Sequence, residues 1–296
     1  MNLKITCEIS EMAKKKLNGN GIALNSGDLS PVGVVCTRAQ AMGFVNLPGL
    51  RWIHIMSAGY DDIDIDLIKE KGIILTNARG VYSIPLAEDI ILKMLMLARR
   101  YHCYAKGKWN EVEGQTELCG KTALIFGAGS IGMETGRRLA AFGMNVRAYD
   151  PAPGPEAEAF FRQIETRHEN IPALVNEADY IILCLPLNAH THHFIDSAFF
   201  GYMKATAFIV NVSRGGTINT ENLLTALKQR RIMGAALDVY EQEPLPDDSE
   251  LWALDNIILT PHQAYCGDQN GARNEALWAE NAARLNNGQE LLNRIV

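Results

Sequence analysis

The feature that most restricts how this chain can fold is the alternation of short apolar runs with helical patterns along its whole length. The runs read "LKITC", "PVGVVC", "LRWIHIM" and "GIILT" in the first part, then "TALIF", "NVRAY", "YIILCL", "AFIVNV", "GAALDV" and "NIILT". Several are apolar at consecutive positions, so both faces of the strand need cover. That is the condition of a parallel sheet whose crossover connections are helices. The fold class is therefore α/β. With 296 residues the chain is long enough for two such units, and 47% hydrophobic against 21% charged residues supplies a core for each.

The spacing predicts a long helix over about Ser83 to Cys103 and another over the closing "DQNGARNEALWAENAARLNNGQELL". Around residues 105 to 120 the segment "AKGKWNEVEGQTELCGK" is polar and aperiodic, and is expected to connect into a second sheet unit opening at Thr122. No solenoid repeat and no low-complexity tract is present. The formal net charge of −6 argues against a nucleic-acid or anionic-membrane surface. Glu88, Asp89 and Lys93 interrupt "IPLAEDIILKMLMLARR", so no membrane span is expected. The opening "MNLKITCEIS" lacks the apolar core of a signal peptide. Cys7, Cys36, Cys103, Cys119, Cys184 and Cys266 are scattered without a CxxC pair, which points to reduced thiols and a cytoplasmic protein. The glycosylation sequon at Asn211 would then be idle.

The strongest local signal is "TALIFGAGSIGMETGRRLAAFGMNVRAYD". A strand-like run ends at Phe126, and Gly127, Gly129 and Gly132 follow in the spacing G-x-G-x-x-G. A helix comes next, with Ile131, Thr135, Leu139 and Phe142 on one face, and a second strand ends in Asp150. The first glycine allows a tight turn, the second lets backbone approach a pyrophosphate, and the third lets helix and strand pack closely. The helix N-terminus offers free N–H groups to the anion. Asp150 suits the ribose hydroxyls and would repel a 2′-phosphate, and no Lys or Arg lies between Asp150 and Phe161 to offset it. This favours NAD over NADP as cofactor.

Two other motifs lead elsewhere. "CGKT" resembles the end of a P-loop, but the required first glycine is Gln115 and the segment precedes a strand instead of following one. "HTHH", His190 to His193, lies in a loop with no acidic or cysteine partner near in sequence, so no metal is expected. Three polar residues remain at predicted strand ends: Arg214 after "FIVNVS", Glu243 after "ALDVYEQ" and His262 after "IILTP". Each has an ordinary structural explanation taken singly. In open α/β sheets, however, ligands bind outside the carboxyl ends of the strands, where all three would converge on the cofactor crevice.

From about Leu47 onward the chain resembles the D-isomer-specific 2-hydroxyacid dehydrogenases. The pieces that carry the resemblance are "SAGYDDID", "GAGSIG", "MKATAFIVNVSRGG", "GAALDVYEQEPLP", "NIILTPH" and the closing helix, in matching order and spacing. The resemblance implies two Rossmann-like, doubly wound parallel-sheet domains, the cofactor domain inserted into a smaller substrate domain. The substrate domain would be residues 1–94 plus 268–296 and the cofactor domain 95–267, with the active site in the cleft between them. It implies a homodimer through the cofactor domains, to which the helix around Leu86 to Tyr101 and the segment near Trp109 would contribute.

It also implies roles. His262 would be proton donor and acceptor, Glu243 its partner on the other ring nitrogen, and Arg214 the residue that holds substrate carboxylate and carbonyl. Backbone N–H groups of Ala58 and Gly59, with the Ser57 hydroxyl, would bind the substrate carboxylate. Gly127, Gly129, Ser130, Ile131 and Gly132 would hold the pyrophosphate and Asp150 the ribose. Asp238 would hold the nicotinamide carboxamide. Leu185, Pro186 and Val212 would line the cofactor through backbone, although for Leu185 plain core packing is the preferred reading.

Two positions depart from the family pattern. "QAYCG" follows His262 where small residues are usual, which puts Tyr265 beside the site. Ile55 stands where phosphoglycerate-type members carry a phosphate-binding arginine. The expected activity is hydride transfer between NAD(H) and a small 2-keto or D-2-hydroxy acid, such as glyoxylate or hydroxypyruvate. The alternative is a non-catalytic NAD(H)-sensing interaction protein on the same fold. A formate-dehydrogenase-like activity ranks lower, because that branch has Gln where Glu243 stands.

Overall fold

The computed structural model describes residues 1–24, 30–104 and 109–296. Residues 105–108 of the expected connection lie outside them. The chain divides into two compact units, Met1–Tyr82 with Gly267–Val296, and Ser83–Cys266.

The first unit is built on strands β1 (Asn2–Ile5), β2 (Ala23–Leu24), β3 (Gly33–Cys36), β4 (Trp52–Ile55) and β5 (Ile74–Asn77). They form one parallel sheet in the order β2-β1-β3-β4-β5, a doubly wound arrangement. Side chains alternate across it. Leu3, Ile5, Val35 and Trp52 pack with Leu17 of helix Glu11–Gly19 and with Trp278, Ala282 and Leu285 of helix Asn270–Asn286. Val34, Ile53, Ile55 and Leu75 pack on the other face with Ile68 of helix Ile65–Glu70. The closing helix thus returns to the first unit because its Trp278 stripe completes that unit's core.

The second unit holds β6 (Thr122–Phe126), β7 (Asn145–Tyr149), β8 (Gln163–Glu165), β9 (Tyr180–Leu183), β10 (Phe208–Asn211), β11 (Gly234–Leu237) and β12 (Ile257–Leu259). All run parallel in the order β12-β11-β10-β9-β6-β7-β8. The order reverses between β6 and β9, the switch point at which such sheets bind dinucleotides. Two parallel-sheet α/β units are therefore present, as the apolar runs predict.

Three details differ from the sequence expectations. β2 and β8 are edge strands too short to show a period, and neither was legible. The helix expected to reach Cys103 ends at Ala98. Arg100 adopts φ 51°, a left-handed conformation that breaks the helical path with no glycine to announce it. Helix Ser83–Ala98 also belongs whole to the second unit, packing on helix Ser130–Ala141 and on β10 and β11, whereas a boundary after residue 94 would cut it.

One buried group makes the first unit sensitive to acid. His54 on β4 is fully buried, with Nδ1 2.8 Å from Thr76 Oγ1, while Thr76 Oγ1 accepts the indole N–H of Trp52 at 2.9 Å. Its Nε2 has no partner among the described residues. Burial disfavours the charged ring and lowers its pKa from 6.5 to about 3. The unfolded chain therefore takes up a proton that the folded chain refuses. Stability is fully present above pH 6.5 and is lost as pH falls from there towards 3, by about 1.4 kcal/mol per pH unit from this residue. Urea unfolding at pH 7.5, 6.5 and 5.5 checks this: His54→Gln should flatten the acid slope, and an equal slope in the variant would show that the imidazole is not its source.

Candidate active site

The glycine loop sits at the switch point, and the three glycines answer to three different contacts. Gly127 has φ 102°, and a Cβ there would lie 2.6 Å from the carbonyl oxygen of Cys184 beyond β9. At Gly132 a Cβ would lie 2.0 Å from the Gly127 carbonyl oxygen. Both positions are closed to any side chain. Gly129 faces open space, with nothing within 4 Å of an added Cβ, and begins helix Ser130–Ala141 without a side-chain cap. The opening over Gly129 and the uncapped first turn at Ser130 and Ile131 fit a pyrophosphate. Asp150, at the end of β7, accepts the Ala128 N–H at 2.8 Å and the Ala152 N–H at 2.9 Å. It shapes the loop from below, and each carboxylate oxygen keeps a second lone pair for a ribose hydroxyl. Leu185 and Val212 are buried side chains, so only their backbone is open to a cofactor, and the Pro186 carbonyl accepts the Thr191 hydroxyl at 2.7 Å.

Arg214, Glu243 and His262 follow the adjacent strands β10, β11 and β12. After β10, the buried Asn211 amide donates to the Arg214 carbonyl at 3.1 Å, and the Thr217 hydroxyl donates to the same oxygen at 2.7 Å. The Arg214 Nη1 donates to the Ser213 carbonyl at 2.8 Å. Gly215 presses against the next loop: a Cβ there would lie 1.9 Å from the Tyr240 carbonyl. Tyr240 in turn gives its N–H to Glu243 Oε1 at 3.0 Å and its hydroxyl to the Thr260 carbonyl at 2.8 Å. One residue thus touches all three loops, and burial followed by the nearby Asp238 charge pushes its phenol up to about 12.

His262 is exposed, and its Nδ1 lies 2.7 Å from Glu243 Oε2. It adopts φ 52°, and Asp238 builds the turn that holds it there. The Asp238 carbonyl accepts the His262 N–H at 2.8 Å, and its buried carboxylate accepts the Thr260 hydroxyl at 2.6 Å and the N–H groups of Gln263 and Ala264 at 3.0 and 2.9 Å. A left-handed histidine costs about 1–2 kcal/mol, and three hydrogen bonds accepted by one buried carboxylate offset it. The Tyr265 ring stands edge-on to the imidazole, centroids 6.3 Å apart at 81°.

Two features escaped sequence reasoning. Lys93 is buried on helix Ser83–Ala98 and ion-paired with Asp89, whose carboxyl burial pushes above its usual range, with the Asp238 charge adding to the rise. An Asp and a Lys four residues apart in an apolar stretch were the available signal. His193 meets Glu241, its Nε2 2.5 Å from Oε1, although the two are far apart in sequence. Among the described residues no group of three or more His, Cys, Asp or Glu is arranged to hold a metal.

In the first unit, the loop after β4 is tied down by its carbonyls. Ser57 Oγ donates to the Gly59 carbonyl at 2.8 Å, the Asn77 amide donates to the Ala58 carbonyl at 2.6 Å, and the Ala78 N–H to that of Ser57 at 3.0 Å. No backbone carbonyl among the described residues accepts from the Ala58 or Gly59 N–H.

A doubly wound parallel sheet with a glycine loop at its switch point places the second unit in the class of dinucleotide-binding folds. The sequence profile of the "D-isomer specific 2-hydroxyacid dehydrogenase, NAD binding domain" matches residues 91–264. The chain is 33% identical over 255 residues to a glyoxylate reductase of Korarchaeum cryptofilum, covering 83% of this chain and 76% of that protein. It is 40% identical over 220 residues to the D-3-phosphoglycerate dehydrogenase of Methanocaldococcus jannaschii, covering 72% of this chain but only 41% of that protein. The crystal structure of a glyoxylate reductase from Paecilomyes thermophila superposes with a TM-score of 0.82 at 25% identity, covering 100% of this chain and 98% of that one. The chain belongs to the D-isomer-specific 2-hydroxyacid dehydrogenase family and is an enzyme of that class.

The glycine contacts generate a paired prediction. Gly129→Ala should fold with at most about 1 kcal/mol lost at the helix cap, yet weaken NADH at least roughly tenfold by filling the opening. Gly132→Ala should lower the unfolding midpoint as well, because backbone must move. Fluorescence titration with NADH beside thermal melts reads both, and unchanged affinity in Gly129→Ala would dissociate this loop from the cofactor.

Proposed function

We propose that the protein interconverts a small, unphosphorylated 2-keto acid and its D-2-hydroxy acid, glyoxylate and hydroxypyruvate being the type substrates, with NAD(H) as cofactor. The observation that carries this reading is the 2.7 Å pair of His262 Nδ1 and Glu243 Oε2 beside the Arg214 turn. With its proton on Nδ1 held by Glu243, the ring presents Nε2 outward, as a general acid when protonated and a base when neutral. A bound dihydronicotinamide would supply the hydride to the keto carbon. His262 then delivers a proton from Nε2 to the carbonyl oxygen as negative charge develops there, and Glu243 stabilises the imidazolium before that transfer. Arg214 orients the substrate with its planar fork, and the loop of Ser57, Ala58 and Gly59 receives the carboxylate through its uncommitted N–H groups. Asp238, whose carboxylate builds the His262 turn, would also accept the carboxamide of the nicotinamide.

Ile55, fully buried among apolar neighbours, supports an unphosphorylated substrate, as do the glyoxylate reductase relatives. Asp150 beneath the glycine loop supports NAD over NADP. Exposed Trp109 and Tyr101 support a homodimer through the second unit, and six free cysteines support a cytoplasmic location.

The test is an NADH-oxidation screen over 2-keto acids, repeated with NADPH. Turnover with a small keto acid is expected, faster with NADH, and His262→Ala should lose ~10²-fold or more while still binding NADH. Unchanged turnover in that variant removes the proton-donor role. Tight NADH binding without turnover of any keto acid would instead favour the NAD(H)-sensing alternative.

A further inference from the structure

The turn after β11 carries two acids two residues apart, and each is met by a histidine from a different side of the sheet edge. Glu243 meets His262 beyond β12. Glu241 meets His193 in the loop that follows β9, Nε2 to Oε1 at 2.5 Å. We infer that His193 and Glu241 are a positioning pair that braces this turn from the side opposite the catalytic pair and so holds Glu243 on His262. The inference rests on the proposed function only for what the brace serves.

Both partners of the brace are themselves anchored. Glu241 Oε2 accepts the Thr220 N–H at 2.7 Å, at the start of helix Thr220–Lys228. Burial alone would raise this carboxyl, but the hydrogen bonds from Thr220 and His193 outweigh it and hold it below the usual glutamate range. Asn219 Oδ1 accepts the Asn222 N–H at 3.0 Å, which fixes the amide so that its Nδ2 faces His193 Nδ1 at 3.4 Å. His193 Nδ1 is therefore an acceptor, and its proton sits on Nε2, aimed at Glu241. The His193 N–H donates to the Gly216 carbonyl at 2.8 Å, and its ring stacks on His192 with centroids 3.9 Å apart. On the other side Gly215 presses on Tyr240, whose N–H holds Glu243 Oε1. The brace thus spans the β9 loop, the Arg214 turn and the Glu243 turn. Without the His193 contact, Glu241 keeps the Thr220 N–H and Tyr240 keeps Gly215 and the Thr260 carbonyl, but nothing ties the turn to the β9 loop through Glu241 among the described residues.

The experiment compares His193→Phe, which keeps the stacked ring and removes the donor, with His193→Gln, which keeps an N–H donor. Histidine-labelled proteins are compared by NMR at one pH, with the His262 signals assigned by their loss in His262→Gln. In His193→Phe the nitrogen chemical shift of His262 Nδ1 should move as its hydrogen bond to Glu243 loosens. Its kcat/KM should fall roughly tenfold, carried by kcat, with NADH affinity unchanged. His193→Gln should restore both. An unmoved His262 Nδ1 signal in His193→Phe overturns the brace, as does loss of kcat in simple proportion to unfolded protein. Because the NMR comparison needs no substrate, a parent enzyme that reduces no keto acid refutes the function without refuting the brace.

Discussion

Everything in the second unit depends on one constraint: seven strands run in the same direction, so every strand ends on the same edge of the sheet. The polar residues that follow those strands are thereby gathered without any of them being near in sequence. Parallel pairing alone does not bring loops into contact, though. That takes backbone approaches that only glycine allows. Gly127 lies against Cys184, Gly132 against Gly127, and Gly215 against Tyr240, each at a distance no Cβ tolerates. The first two fold the glycine loop tightly against Cys184 and the first turn of its helix. The third carries the Arg214 turn onto the residue that orients Glu243.

The edge is also where the charges are, and each is committed before any ligand arrives. Asp238 spends its carboxylate on the turn that keeps His262 left-handed. Asp150 holds the backbone of the glycine loop, and Glu243 divides its two oxygens between Tyr240 and His262. Carboxylates with hydrogen bonds already in place are fixed in orientation, which is the preorganisation that the proposed proton transfer would draw on. Below the edge, the buried Lys93 and the half-buried Asp89 compensate one another on the helix that covers β10 and β11. Removing one partner alone would leave an unpaired buried charge, which is far more costly than replacing both.

Much of this was legible in the amino-acid order. The runs of consecutive apolar residues predicted the parallel strands, and "GAGSIG" between a strand and a helix predicted the loop at the switch point. Arg214, Glu243 and His262 were legible as strand-end residues, since position along a strand is a local property. The short edge strands β2 and β8 were not, because a period needs more residues than they have. Nor was the end of the long helix, where Arg100 turns left-handed without the glycine that usually marks it.

The sequence by itself determined the fold class, the glycine loop and the kinds of side chain at the strand ends, because apolar periodicity, glycine spacing and residue chemistry act over a few neighbouring positions. Only the tertiary structure decided which of those side chains pair. "HTHH" read as a loop with no acidic partner near in sequence until His193 met Glu241 across the sheet edge, and Lys93 read as an interruption until it was found buried against Asp89. Such pairings depend on strand order and on how closely backbones approach, and both are set by the packing of segments far apart in the chain.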